Sequence, residues 1–532
     1  MESTTTAVVS TVTPSSPMQA ALLLAILLTV SCLLLLGPRG RVKGRSSTGG
    51  RRLPPSPWGL PVLGNLHQLG RRPHRSLRAL AAAHGPVMLL RLGRVPAVVV
   101  SSADAAREVL QAQDHVFASR PSLAVPRTLL YGCADMAFAP HGAHWRAVRK
   151  LSVQHLLSPP RVRAYRAVRE QEVEALVRRV AEHAGAAVCL RDLLSDFARD
   201  VAGRIVIGTR ASGTDGWRAK LNALVEETDA MLSAFQIGDY VSWLSWVSAV
   251  DGTDARTRRV FQSIDEILDE IIDAAEREMA SSGDQNTHDS FLHVLLSLMH
   301  KEPAADETEW RLSRDTVKAL LEDLFGAGTD ATIIMLEWAM AELLCHEGAM
   351  RELQREARQA AARSSNGRRA LMITEQELPG MEYLRAVVKE TLRLHSPAPL
   401  LLPRESMEDT RISQQQHQYD VSRGTVVLVS AWAISRDPAT WESPEEFRPE
   451  RFAGSAVDFR GRHLELIPFG AGRRMCPASN LAVSVVEIAL ANLVASFDWA
   501  LPEGEKELDM EEGPGFAVRK KAPLRAVATT PP

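Results

Sequence analysis

The apolar positions of this chain change rhythm several times, and each change predicts a different element. Residues 18–37, MQAALLLAILLTVSCLLLLG, carry no charge. Twenty helical residues reach roughly 30 Å, the thickness of a bilayer's hydrocarbon core, so this run predicts a transmembrane helix. The next stretch, RRLPPSPWGLPVLGN (51–65), has prolines at 54, 55, 57 and 61. Proline fixes φ, and the stretch predicts a semi-rigid spacer. VMLLRLGRVPAVVVSS (87–102) is apolar on both sides of Gly93 and Arg94, which predicts two β-strands around a turn. From about residue 103 to 350 apolar residues recur at three- and four-residue spacing, the rhythm of helices. SSGDQNTHD (281–289) and RSSNGRR (363–369) are polar and predict surface loops, and a strand returns near GTVVLVSAW (424–432). There is no internal repeat. The pattern predicts one mainly α-helical body with small β-sheets.

Charge orients the apolar run. Only Glu2 precedes it, whereas Arg39, Arg41, Lys43, Arg45, Arg51 and Arg52 follow. The positive-inside rule then puts the body in the cytosol. A cleaved signal peptide would need a basic stretch before the run and a small-residue cleavage site after it, and neither is there. No N-x-[ST] sequon occurs, in keeping with a cytosolic body. Apolar content of 45% and charged content of 24% are ordinary globular values. A net charge of −2 argues against a nucleic-acid binder held by a broad basic surface. The cysteines, Cys32, Cys133, Cys189, Cys345 and Cys476, are widely spaced, so neither a disulfide framework nor a cysteine zinc cluster is expected. Three of them read as plain buried thiols.

Candidate chemistry centres on PFGAGRRMCPASN (468–480). Its glycines at 470 and 472 let backbone N–H groups approach a ligand, and such donors aimed at Cys476 would favour the metal-ligating thiolate. Taken alone, a buried cysteine in a turn is the commoner meaning. KETLRLH places Glu390 and Arg393 three apart on one helical face, and FRPERF adds Arg451. HGAHWRAVRK puts Trp145 and Arg149 four apart, two donors on one face. By themselves these would be a surface ion pair and a core tryptophan beside a solvated arginine.

Together they carry a resemblance. The chain is similar to the cytochrome P-450 family of haem-thiolate monooxygenases, in particular its plant microsomal A-type members. F-x-x-G-x-R-x-C is Phe469, Gly472, Arg474 and Cys476; E-x-x-R is Glu390 and Arg393; P-E-R-F runs from Pro449 to Phe452; W-x-x-x-R is Trp145 and Arg149. The proline-rich hinge, FASRP (117–121), FAPHGAHWR (138–146), LPRES (402–406) and VRKKAPL (518–524) also look like the plant members, with the motifs in family order up to about residue 525. The resemblance implies a mainly α fold with small sheets, preceded by one transmembrane helix. It divides the chain into a short lumenal terminus (1–17), a signal anchor (18–37), a basic and proline-rich linker (38–62) and a haem-binding catalytic domain (63–532). Cys476 would be the axial thiolate of haem b, pushing electron density onto the iron. Arg474, Trp145, Arg149 and Arg404 would bind the propionates. Glu390, Arg393 and Arg451 would form a buried network fixing the loop under the haem.

Two positions depart from the family. Glycine usually stands two residues after the cysteine, and here it is Ala478; its methyl is a small insult if φ is negative and a larger one if φ is positive. LFGAGTDATIIMLEWAM (324–340) matches the family's central helix, with Asp330 as the proton-relaying acid, but the alcohol that normally follows is replaced by Ala331. Gly326, Gly328 and Ala331 also fit a dinucleotide fingerprint, which is rejected because TVKALLEDLF before them reads as helix rather than strand. The glycine pair is a plausible kink site. Thr332 lies roughly 100° further around an ideal helix and could replace the lost hydroxyl only if the helix bulges there. Otherwise a water or a substrate hydroxyl must deliver protons.

By the same resemblance, substrate-facing positions fall in 122–137, 235–247, 326–333, 398–402 and near Gly515–Ala517. These are mainly apolar and suit a hydrophobic small plant metabolite. The aromatic run from Phe235 to Trp246 reads equally as a membrane-contacting or a core segment. Arg146, Lys150, Arg163 and Arg473 would offer a basic face to an acidic NADPH–cytochrome P-450 reductase, against the ordinary reading of a solvated surface. The implied location is the endoplasmic-reticulum membrane, single-pass. Two rivals remain: a haem-thiolate isomerase or dehydratase that uses no dioxygen, and a non-catalytic haem carrier.

Overall fold

In the computed structural model the described residues are 52–531, apart from 210–219, 221–226, 229, 233, 235, 283–289, 302–309, 365–371 and 506. The terminus 1–17, the anchor 18–37, the linker up to Arg51, most of both polar loops and Phe235 lie outside them. The body is mostly helical with small sheets, as the hydrophobic rhythm predicts.

Its axis is the central helix Arg314–Cys345, 32 residues long. It begins where Ser313 Oγ accepts the Thr316 amide at 3.2 Å, which satisfies one of the orphan donors of the first turn. Residues 332–343 are all buried, so this stretch of the helix is covered on every side, as an all-round apolar stretch must be. Leu190–Val206 and Ser479–Ser496 pack directly on it, and Arg166–Ala181 and Glu347–Ser364 form the next layer. Ser479–Ser496 is the one helix among the described residues long and apolar enough to cross a membrane, yet most of it is buried inside the body. It is a core element. The helix runs through Gly326 and Gly328 without a break in its α-helical span.

Val87–Leu92 and Val95–Val100 form the predicted hairpin, with Val87 opposite Val100 and Gly93 at φ +61° in the turn. Val95–Val100 pairs in parallel with Val426–Val429, which in turn pairs with Arg404–Glu405. A second sheet joins Ala187–Cys189, Arg525–Thr529 and Asp498–Ala500, bringing the C-terminus onto the helical core.

The proline-rich stretch differs from expectation. Residues 52–62 are not a free spacer: Leu89 donates to Pro55 O at 2.8 Å, Arg52 N to Asp420 Oδ2 at 2.6 Å, and buried Asn65 holds the carbonyl of Trp58 at 3.2 Å. Prolines leave no N–H to donate, but their carbonyls still pair with the sheet edge. The body therefore includes residues 52–62. Among the remaining thiols Cys133 is buried, whereas Cys345 is exposed, against the expectation for an isolated cysteine.

Candidate functional site

Cys476 sits where a tight loop meets the first turn of Ser479–Ser496. Its amide donates to Phe469 O at 2.9 Å, closing the loop. Phe469 packs its ring edge-on against Phe459 at 5.5 Å. Gly470 and Gly472 have φ of +69° and +68°. At Gly472 a Cβ would fall 2.0 Å from Leu110 O, so both backbone angle and space demand glycine. Ala478 has φ −89°, an ordinary value for an L-residue, so its methyl is accommodated. Burial pushes the Cys476 thiol up, while the amides of Ala478 and Ser479 and the Arg149 guanidinium pull it down. Those two amides open an 18-residue helix, the positive end of its dipole, so the loop supplies the donors a thiolate needs.

Arginines gather on one side of this cysteine. Arg474 donates to the carbonyls of Ala118, Met136 and Ala139 at 2.6, 3.3 and 2.5 Å, and its guanidinium lies 4.2 Å from the centre of the Trp145 ring. Trp145 Nε1 donates to Met136 O at 3.2 Å. Arg149 reaches Met475 O at 2.7 Å, and Arg404 reaches Phe117 O and Ala471 O at 3.4 and 3.1 Å. Arg120 belongs to the same group, donating to Ala137 O, Leu402 O and Pro403 O at 2.8, 2.9 and 2.9 Å. Among the described residues none of these four arginines pairs with a carboxylate. Burial, together with Arg404 and Arg474, drives Arg120 well below its ordinary value. Burial brings Arg404 to about 10; burial with Arg404 and Arg149 brings Arg474 to about 9. Guanidiniums stay charged in proteins, so these shifts measure unmet demand for an anion. A porphyrin with two propionates and one open position for sulfur fits this donor set.

Behind the loop, Arg393 makes a two-pronged pair with Glu390, Nε to Oε2 at 2.7 Å and Nη2 to Oε1 at 2.9 Å, both fully buried. Arg451 Nε and the Arg448 amide also reach Glu390 Oε1, at 2.9 and 2.8 Å. The remaining donors of Arg393 go to the carbonyls of Ser435, Pro444 and Glu446. The spacing read as a possible surface pair is thus a buried network with its hydrogen bonds met, the condition under which a buried ion pair is tolerated.

On the central-helix side lies a cavity of about 230 Å³. Leu130, Leu232, Ile264, Leu268, Phe325 and Phe516 give it an apolar wall, and Ala327, Asp330 and Ala331 give it a helical floor. Segments 122–137, 326–333, 398–402 and Gly515–Ala517 each contribute to it; 236–247 do not. Asp330 lines the cavity and pairs through Oδ1 with Arg519 Nη2. Thr332 does not line it: its hydroxyl donates to Gly328 O at 2.8 Å and is buried within an unbulged helix. The structure does not bring Thr332 to the place that Ala331 leaves without a hydroxyl, because consecutive helical residues point about 100° apart.

Three residues of the site were not singled out from the sequence. Arg120 carried no spacing signal, since its partners are carbonyls of 137, 402 and 403. Asp135 Oδ2 accepts the Phe138 amide at 2.6 Å. Asp323 Oδ2 accepts the amides of Met136 and Ala137 at 3.1 and 3.2 Å and lines the cavity. Asp323 lies two helical turns before Asp330 and so shares its face, a signal that was available.

A loop cysteine at a helix start, a guanidinium cluster and an apolar cavity beside a glycine-bearing helix define a haem-thiolate type of protein. The cytochrome P-450 family model matches residues 54–525, and the chain belongs to that family, an oxidoreductase of the monooxygenase class. Membership implies haem, a redox partner and a small-molecule substrate. A cytochrome P-450 (71A4) of Solanum melongena is 43% identical over 91% of this chain and 94% of its own length. Norfluorocurarine oxidase of a Strychnos species is 43% identical, covering 90% and 93%. (+)-Menthofuran synthase of Mentha piperita is 41% identical, covering 93% and 97%.

Proposed function

We propose that this chain is a single-pass enzyme of the endoplasmic-reticulum membrane that inserts one oxygen atom from dioxygen into a hydrophobic small plant metabolite. Electrons would come from NADPH through cytochrome P-450 reductase. The observation that carries this reading is the gathering of Arg120, Arg149, Arg404 and Arg474 near Cys476, with Arg120, Arg474 and the apolar cavity meeting at one segment, Asp135–Ala139. Bound haem b would supply the activation of dioxygen and the oxygen-insertion chemistry. Cys476 would be its axial ligand, held by the amides of Ala478 and Ser479. Arg120, Arg149, Arg404 and Arg474 would turn from backbone carbonyls to the propionates, with Trp145 as the neutral donor. Glu390, Arg393 and Arg451 would keep the loop rigid beneath. The cavity would hold an apolar substrate and exclude bulk water. Asp330 would hold and move protons at its carboxyl, by way of water or a substrate hydroxyl, with Thr332 left to its bond with Gly328.

Names of relatives such as norfluorocurarine oxidase and (+)-menthofuran synthase are in keeping with a specialised metabolite as substrate. Membrane placement is supported by Leu53, Trp58, Trp243 and Trp246, exposed at 57%, 69%, 58% and 48%. Both segments flank the Gly93–Arg94 turn: Gly93 N donates to Leu63 O and Arg94 N to Tyr240 O. Exposed tryptophans in one region suit a headgroup layer. Arg146, Lys150 and Arg163 are exposed and suit an acidic reductase, whereas Arg473 is tied to Asp114.

Ala331 and the engaged Thr332 favour a second reading, a haem-thiolate isomerase or dehydratase that needs no dioxygen. A carrier without turnover is disfavoured by the cavity. Cys476→Ser tests the ligand: the variant should lose the strongly red-shifted Soret band of the ferrous–carbonyl complex, and keeping it would refute the assignment.

A further inference from the structure

We infer that Asp135 and Asp323 are a proton-holding positioning pair that sets how firmly the arginine cluster holds haem. This rests on the reading of that cluster as the propionate site.

The geometry centres on four peptide units. Their amides face the acids: Met136 N and Ala137 N donate to Asp323 Oδ2, and Phe138 N donates to Asp135 Oδ2. Their carbonyls face the cations: Met136 O accepts from Trp145 and Arg474, Ala137 O from Arg120, and Ala139 O from Arg474. The Ala137 residue is gripped from opposite sides by Asp323 and Arg120. Anything that moves the two acids therefore moves the carbonyls on which the arginines rest. Asp135 is fully buried, and among the described residues its second oxygen, Oδ1, has no hydrogen-bond partner. A buried carboxylate oxygen without a donor is costly, and holding one proton between two neighbouring buried acids lowers the charge that makes it so.

Charge points the same way. Burial and then the Asp135 charge push Asp323 up to about 8, against the pull of the Met136 and Ala137 amides and Arg120. Burial pushes Asp135 up to about 6 against the Phe138 amide and Arg120. Near neutrality the pair thus keeps one proton and one negative charge. The charge of Asp135 also acts on Arg474 and Cys133, and that of Asp323 on Cys476. Cys133, raised to about 11 by burial, titrates above this window.

The sign follows from linkage. Two propionates add negative charge beside the pair, which raises its pKa further; reciprocally, a protonated pair favours haem. Haem is held most firmly while the pair keeps its proton and less firmly as pH rises past about 8. Losing that proton puts a second negative charge among arginines that the propionates also need. Ionisation of Cys476 acts in the opposite sense, because the thiolate is the ligating form. The propionates themselves bring the arginines back toward their ordinary values, so arginine titration does not produce the effect.

The test uses the full-length haem-loaded protein and follows, by absorbance, transfer of haem to excess apomyoglobin. Wild type, Asp323→Asn and Asp135→Asn are compared between about pH 7 and about pH 9.5, the interval around the pair's upper ionisation. Asparagine still accepts the backbone amides but cannot ionise, and the remaining aspartate, freed of its neighbour's repulsion, keeps one charge throughout. For wild type the rate of loss should rise about tenfold, the effect of one unit of differential pKa. Each variant should change less than about twofold, because its charge is constant over the interval. A flat wild-type profile, or variants that keep the wild-type slope, would overturn the inference. So would folded asparagine variants that load no haem, since asparagine should stand in for the protonated acid. A wild-type protein with no Soret band at any pH would instead sink the haem reading itself.

Discussion

Arg519, from the C-terminal segment, pairs through Nη2 with Oδ1 of Asp330 in the middle of the central helix. Neighbouring contacts hold that segment along the helix: Trp338 Nε1 donates to Val518 O at 3.4 Å and Leu524 N to Glu337 Oε1 at 2.9 Å. Phe516 and Ala517, just before Arg519, line the cavity. The acid that faces the cavity is therefore held by a cation whose own segment touches whatever occupies that cavity. Asp330→Asn should lower kcat by about 100-fold or more, the usual worth of a positioned proton donor, with haem content unchanged. Arg519→Gln, which removes the partner but keeps the acid, should lose less activity than Asp330→Asn. Equal haem-normalised turnover in wild type and Asp330→Asn would remove the acid from the reaction.

The loop glycines and Ala478 should behave in opposite ways. Gly472→Ala combines a left-handed φ with a Cβ 2.0 Å from Leu110 O, so the loop must shift. We expect loss of roughly 1–3 kcal/mol and poor haem retention, the cost of backbone strain before any packing term. Ala478→Gly, at φ −89°, should change stability by only a few tenths of a kcal/mol. Chemical-denaturation midpoints of the two variants give the comparison; similar values for both would contradict the backbone argument.

Breaking the network behind the loop should be severe and non-additive. Glu390→Ala leaves the buried Arg393 charge without its carboxylate, at about 3–5 kcal/mol; Arg393→Ala should cost less, because Glu390 keeps Arg451 and the Arg448 amide. The double variant should cost clearly less than the sum of the two, because neither charge is then left unpaired. Strict additivity in a denaturation cycle would mean that the pair does not interact as the 2.7 and 2.9 Å contacts require.

Ala331→Thr restores a hydroxyl on the cavity floor that Thr332, bonded to Gly328 O, does not supply. The ratio of hydrogen peroxide released to product formed should fall. An unchanged ratio would place proton delivery away from position 331.

How much of this could be read from the chain depends on whether the partners are close in sequence. Glu390 and Arg393 are one turn apart, Trp145 and Arg149 likewise, and Cys476 lies in a loop whose glycines advertise its shape. Local spacing carries such signals, because helix geometry fixes which side chains meet. The hairpin at 87–100 was legible for the same reason. Arg120 was not, since its contacts join segments some 17 to 283 positions apart. Asp323 shares a helical face with Asp330, but its bonds to Met136 and Ala137 cross 187 and 186 positions, and the bond of Asp135 to the Phe138 amide is a local turn contact that does not mark a site. The packing of residues 52–62 on the sheet was hidden because prolines mark stiffness but not what their carbonyls pair with. Ala478 needed a φ value, which no residue name supplies. Thr332 needed the continuity of the helix, and Ala331 left that question open.

The most direct test is to incubate membranes holding this protein and a plant reductase with a plant metabolite pool under isotopically heavy dioxygen. The account predicts a product that gains one heavy oxygen atom and forms only with NADPH. A product that forms without NADPH and carries no heavy oxygen would contradict it and establish the dioxygen-independent reading.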